Sequence, residues 1–98
     1  MLQELLAQDP NNQLARYGIA MEHASRGEVD TAVIEFQRLL DLNPDYTNAY
    51  FMAAQALVQA QRTGDARKWL ERGIANATRT GNNHARSEME AMLLELGS

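Results

Sequence analysis

FQRLLDLNP, Phe36 to Pro44, restates a phrase from the start of the chain, LQELLAQDP, Leu2 to Pro10, 34 residues earlier. Each copy opens on a large apolar residue, sets a leucine pair three and four positions on, and closes on proline. Apolar residues at i, i+3 and i+4 form one stripe of an α-helix. Proline restricts the residue before it and cannot continue the helical hydrogen-bond ladder. Both phrases therefore read as the tail of a helix followed by a stop.

The same interval runs through the rest of the chain. It sets Leu2 on Phe36 and Leu70, Leu5 and Leu6 on Leu39 and Leu40, Ala20 on Ala54, and Ala32 on Ala66. The third copy drifts at its end, with Gly73 and Ile74 under the leucine pair and Thr78 in place of proline. A fixed period of this length marks stacked units that each bury a face against a neighbour. Within a unit, Leu14, Ile19 and Ala20, then Val33, Phe36, Leu39 and Leu40, follow helical spacing, so each unit is a pair of helices. Asn11 or Asn12 caps a helix running to about Ser25, which Gly27 ends in a left-handed conformation. Asp30 or a close neighbour starts a second helix reaching Leu42. The next unit runs from about Thr47 to Arg62, breaks at Thr63-Gly64-Asp65, and continues to about Thr80; Gly81-Asn82-Asn83 ends that helix and caps another. Ala20, Ala32, Ala54 and Ala66 are the expected points of close approach, because larger side chains would hold the helices apart.

This arrangement resembles the tetratricopeptide repeat, a 34-residue helix-turn-helix unit. The matching residues are Ile19, Ala20, Ala32, Phe36 and Pro44 in one unit, and Tyr50, Ala54, Leu57, Ala66, Leu70 and Gly73 in the next. The resemblance covers residues 11–80 fully, and is to a small bacterial-type domain protein of that family. Arg16 and His23 depart from it, standing where the family prefers bulky apolar or aromatic side chains. The expected fold is all-α, an α-solenoid of about two full repeats with a short N-terminal helix fragment and a C-terminal capping helix. In residue terms, one domain over 1–98 divides into a partial repeat at 1–10, repeats at 11–44 and 45–80, and a capping helix at 82–96. Leu2, Leu5 and Leu6 would give the first full unit a neighbour. Ala85, Met89, Met92, Leu93 and Leu96 form the buried stripe of the last helix, with Leu94 off it.

Composition narrows the function. The chain has 98 residues, 45% of them hydrophobic, and a net charge of -4. With Lys68 its single lysine, it lacks the clustered cations that phosphate contacts need, so nucleic acid is not an expected partner. It has no cysteine, no secretory leader pattern and no run of about 18 apolar residues. A cytoplasmic protein without a membrane partner is expected.

Catalytic constellations are missing. His23 and His84 stand without metal-ligand spacing, and His23 is expected to be partly buried with a backbone partner. The glycines are scattered singly, the serines lack an elbow motif, and Glu88, Glu90 and Glu95 spread round an exposed helix. No enzyme activity, cofactor or metal is expected. Arg67, Lys68, Arg72 and Arg79 make one helix basic, read as a solvated face with an Arg67–Glu71 pair, or as a dock for an acidic segment. Trp69 reads as packed.

The resemblance implies a concave groove lined by the first helix of each pair, holding a peptide or helix of another protein. Carried over by position, its groove residues are Leu14, Tyr17, Met21, Asn48, Phe51, Gln55, Val58 and Gln59, with Ala24 and Ser25 beside them. Tyr17, Met21 and Met52 stand where some relatives carry residues that clamp a terminal carboxylate, so no such clamp is expected. So small a groove suggests micromolar binding. The expected partner is a protein or peptide, with the chain itself a monomer or weak homodimer. The competing reading is a self-associating structural module, a homodimer through the incomplete end repeats.

Overall fold

The computed structural model describes residues 2–97. The described residues form six helices: α1 (Leu2–Gln8), α2 (Gln13–Ser25), α3 (Val29–Leu42), α4 (Thr47–Gln59), α5 (Thr63–Thr80) and α6 (Asn83–Leu96). Consecutive helices pack as antiparallel neighbours, so α2 with α3 and α4 with α5 are the two expected pairs.

Local chemistry sets the boundaries. Of the two candidate caps, Asn12 starts α2, its Oδ1 accepting the Ala15 amide at 3.0 Å, and Asn82 does the same for Ala85 at 3.1 Å. These bonds satisfy donors that a helix start leaves open. Gly27 ends α2 at φ +76°. Thirty-four residues later the same conformation falls on Gln61, at φ +63°. That moves the second break from the expected residues 63–65 to residues 60–62: α4 stops at Gln59 and α5 begins at Thr63. Gly64 is absorbed into the first turn of α5, where Asp65 lies at the positive end of the helix dipole.

The alanines at the repeat interval, Ala20, Ala32, Ala54 and Ala66, are all fully buried, together with Phe36, Leu39 and Leu70. Each large apolar side chain so buried contributes about 1.5–3 kcal/mol relative to exposure, which makes α3, enclosed between α2 and α4, the central element. At the N-terminal end the same stripe is less covered. Leu2 lies over Gly18 and Leu6 is half-buried, but Leu5 is 46% exposed, because among the described helices α1 packs on α2 alone.

Two polar departures are accommodated. Arg16 reaches across to Glu35 Oε1 at 3.1 Å and donates to the Pro10 carbonyl at 3.0 Å. His23 is held by a side chain instead of a backbone group, with Nδ1 2.7 Å from Glu28 Oε1.

The stack curves. α2 approaches α4 and α4 approaches α6, whereas among the described residues α3 and α5 do not come within packing distance of each other. The odd-numbered helices are thus splayed on the outside, and α2, α4 and α6 line the inner wall.

Candidate functional site on the inner wall

On α2, burying Ala15, Ile19 and Ala20 against α3 turns an adjacent stripe, Leu14, Tyr17, Met21 and Ala24, toward the inner wall. The corresponding stripe of α4 carries Asn48, Phe51, Gln55 and Val58. Leu14 is 73% exposed, Asn48 and Gln59 are exposed, and Tyr17, Met21, Phe51, Gln55 and Val58 are half-buried.

These eight residues do not converge on one spot. Tyr17 packs edge-on against Phe36, ring centroids 6.2 Å apart, and lies 5.3 Å from the ring of Tyr46. Burial, and to a lesser degree the neighbouring Tyr46, pushes its hydroxyl pKa above the ordinary tyrosine value. Tyr17 forms part of the wall where α2 meets the start of α4.

Further along, Met21, Ala24 and Ser25 face Met52, Gln55, Ala56 and Gln59 across a cleft of about 170 Å³. Met21, Gln55 and Gln59 thus line one cleft. Leu14, Asn48, Phe51 and Val58 lie outside this cleft. Met52 belongs to it although it was singled out only as a replaced clamp residue, and Ala56 gave no signal because a small apolar residue on a helix reads as core.

Methionine side chains fit irregular apolar surfaces, and a glutamine amide both donates and accepts. Among the described residues, neither the Gln55 nor the Gln59 amide has a hydrogen-bond partner, whereas Ser25 Oγ already donates to the Glu22 carbonyl at 2.8 Å. The cleft residues carry no charge. The arrangement suits an apolar side chain flanked by backbone amides.

The other candidates resolve differently. His84 is exposed and lies 3.0 Å from Glu88; among the described residues, no group of three or more His, Cys, Asp or Glu could hold a metal. Most cations of α5 are engaged. Arg67 donates to the Leu96 carbonyl at 3.0 Å rather than pairing with Glu71, Arg72 lies 4.4 Å over the buried ring of Trp69, and Arg79 pairs with Asp45. An acidic segment would find little unclaimed charge there. A larger recess, about 910 Å³, opens at the far end of the stack between α5 and α6, beside Ile74, Leu93 and Leu94.

A family model described as tetratricopeptide repeat matches residues 23–85. The chain belongs to the tetratricopeptide repeat family. It is 28% identical over 95 residues to a TPR repeat-containing protein of Pseudomonas aeruginosa, covering 97% of this chain and 90% of that protein. Among solved structures, it is similar to a tetratricopeptide repeat domain protein of Salinibacter ruber, with TM-score 0.80, 28% identity, and 91% of this chain and 90% of that one covered. A protein of Bordetella parapertussis superposes with TM-score 0.84 at 27% identity, over 97% of this chain and 83% of that one. Tetratricopeptide repeats generally mediate protein–protein interaction, and proteins of the family are typically non-catalytic scaffolds. No described helix of this TPR chain is long and apolar enough to cross a membrane.

Proposed function

We propose that the chain, acting as one domain over residues 1–98, is a non-catalytic adaptor that holds a peptide or helix of another protein against the inner wall of α2 and α4. The observation that carries this reading is the Met21–Met52 cleft, with the unpartnered amides of Gln55 and Gln59 on one side. An apolar side chain of the partner enters between the methionines, and its backbone pairs with the glutamine amides. Tyr17 and Phe51 extend the apolar surface toward Leu14 and Asn48, and Val58 borders it on α4. A groove built from two helix pairs is expected to bury less than the ~1,600 Å² of a standard stable interface, so binding in the micromolar range is expected.

Screening a displayed library of random 12-residue peptides, then titrating the tightest into wild type and a Gln55→Ala, Met52→Ala variant, tests this. A loss of about tenfold in affinity, with unchanged thermal unfolding, supports the reading. Equal affinity for both chains removes it.

Leu94 favours a second reading. It is 80% exposed on α6, and a large apolar side chain at that exposure beside an open recess is what a self-associating module would present.

A further inference from the structure

We propose that the recess at the α5–α6 end receives α1 of a second copy, so that chains stack head to tail. This deepens the self-association reading and depends on it.

The repeat register says what shape the recess fits. α2, α4 and α6 begin at residues 13, 47 and 83, intervals of 34 and 36, and α3 and α5 begin at 29 and 63, an interval of 34. Those intervals carry Val33 onto Arg67 and Leu57 onto Leu93. Within the stack, Leu57 of α4 is buried and Val33 of α3 half-buried where they face α5 across a small recess that Arg62, Trp69 and Arg72 also line. Arg67 and Leu93 line the open recess. They hold the places that a following outer helix covers, so the recess is the seat of an outer helix.

Among the described residues, α1 is an outer helix that packs on one inner helix only. Leu2, Leu5 and Leu6 of α1 are in register with Phe36, Leu39 and Leu40. The latter three are 0%, 0% and 3% exposed, because α3 lies between two inner helices. α1 packs on α2 alone, which leaves Leu5 46% exposed. Among the described residues α6 packs on no following outer helix and α1 on no preceding inner helix, and the two complete one repeat when the first comes from one copy and the second from the next.

Charge bears on which pairing is less opposed: α1 brings a single carboxylate, Glu4, to the recess. A symmetric pairing of two α6 helices would instead bring Glu88, Glu90 and Glu95 of both copies together.

One residue weakens the fit. Glu90 falls 36 positions after Ala54, a fully buried position of α4, so a docked helix must approach a carboxylate where the inner repeats offer a methyl group. Association is correspondingly loose. Because the contact is heterologous, copies add to an open end or close into a ring.

Sedimentation across a concentration series to the millimolar range tests this, using the whole chain and two variants at exposed positions, Leu5→Glu and Leu94→Glu. Circular dichroism confirms that both remain folded. Wild type is expected to exceed twice the 11.0 kDa chain mass at high concentration. Each variant alone should associate at least about tenfold more weakly. An equimolar mixture should recover a two-chain species, because one variant retains the recess and the other retains α1. Glu90→Ala should strengthen association about tenfold, and it remains informative if Leu5→Glu loosens α1 from α2. Monomeric wild type overturns both this proposal and self-association. A dimer lost in Leu94→Glu, kept in Leu5→Glu and not recovered on mixing overturns the head-to-tail arrangement alone, as does a Glu90→Ala chain that associates no better than wild type.

Discussion

Gly73 of α5 lies directly against Met89 of α6: a Cβ built on its backbone would sit inside the methionine sulfur's contact surface and 2.7 Å from Cβ of Tyr50. The close approach joins the last helix to the stack. Replacing glycine by alanine in a helix normally stabilises it by about 1 kcal/mol, but here overpacking of about 1–3 kcal/mol opposes that gain. Tyr50 Cβ is fixed to the backbone and cannot swing away, so overpacking prevails. Gly73→Ala is expected to unfold at a lower temperature than wild type in a calorimetric scan.

The turn between α4 and α5 carries strain that the turn between α2 and α3 avoids. Gln61 holds φ +63° where Gly27 holds φ +76°. A left-handed conformation costs a residue with a Cβ roughly 1–2 kcal/mol. Gln61→Gly should therefore raise stability by about 1 kcal/mol in chemical denaturation, and Gly27→Ala should lower it by a similar amount.

Among the described residues, Asn76 is the one polar residue at a buried position, at 6% exposure. Its Nδ2 donates to the Pro44 carbonyl at 3.0 Å and to Asp45 Oδ1 at 2.9 Å, while its Oδ1 accepts the Thr47 hydroxyl at 2.9 Å. The side chain thereby fixes the loop between α3 and α4 to α5. Asn76→Ala removes these three bonds, but the Pro44 carbonyl still accepts the Tyr50 hydroxyl, Asp45 still pairs with Arg79 and the Thr47 hydroxyl still donates to the Asp45 carbonyl, so the cost should be about 1 kcal/mol. At 4–8 °C per kcal/mol, typical for a domain of about this size, the fall is readily measured by thermal circular dichroism.

Tyr17 gives the alkaline limb of the stability profile a specific origin. Its pKa is raised in the folded chain, so the native state holds that proton more tightly than an unfolded chain, whose tyrosine titrates near 10.0. The contribution is complete below the unfolded value and is lost as pH rises through the higher folded one. Tyr17→Phe keeps the ring against Phe36 and Tyr46 but cannot ionise. Between about pH 9 and pH 11 it should lose less stability than wild type in urea titrations.

The repeat, its helices and its alanine contacts were legible because period, stripe and proline stop are local signals that agree with one another. The second break was misplaced because the visible landmark, Gly64, lies three residues beyond the residue that turns the chain, and glutamine gives no sign of a left-handed conformation. Arg67 looked like an i,i+4 partner for Glu71, but the open end of α6 offers a carbonyl that sequence spacing does not reveal. Asn76 was silent for a related reason: a polar residue in a helix reads as solvated until a neighbouring loop covers it. On the inner wall, helical phase identified the stripes of α2 and α4. How the two stripes face each other depends on the angle between the helices, and that is why Met52 and Ala56 join the cleft while Leu14 and Asn48 stand apart.

The central claim is that a partner segment sits between α2 and α4. A ¹⁵N amide shift map, recorded while the tightest peptide of the displayed library is titrated into the labelled chain, tests it most directly. The expected result is a contiguous set of saturating shifts at Met21, Ser25, Met52, Gln55 and Gln59. Shifts confined to the outer helices α3 and α5, or to the recess beside Leu94, would contradict it.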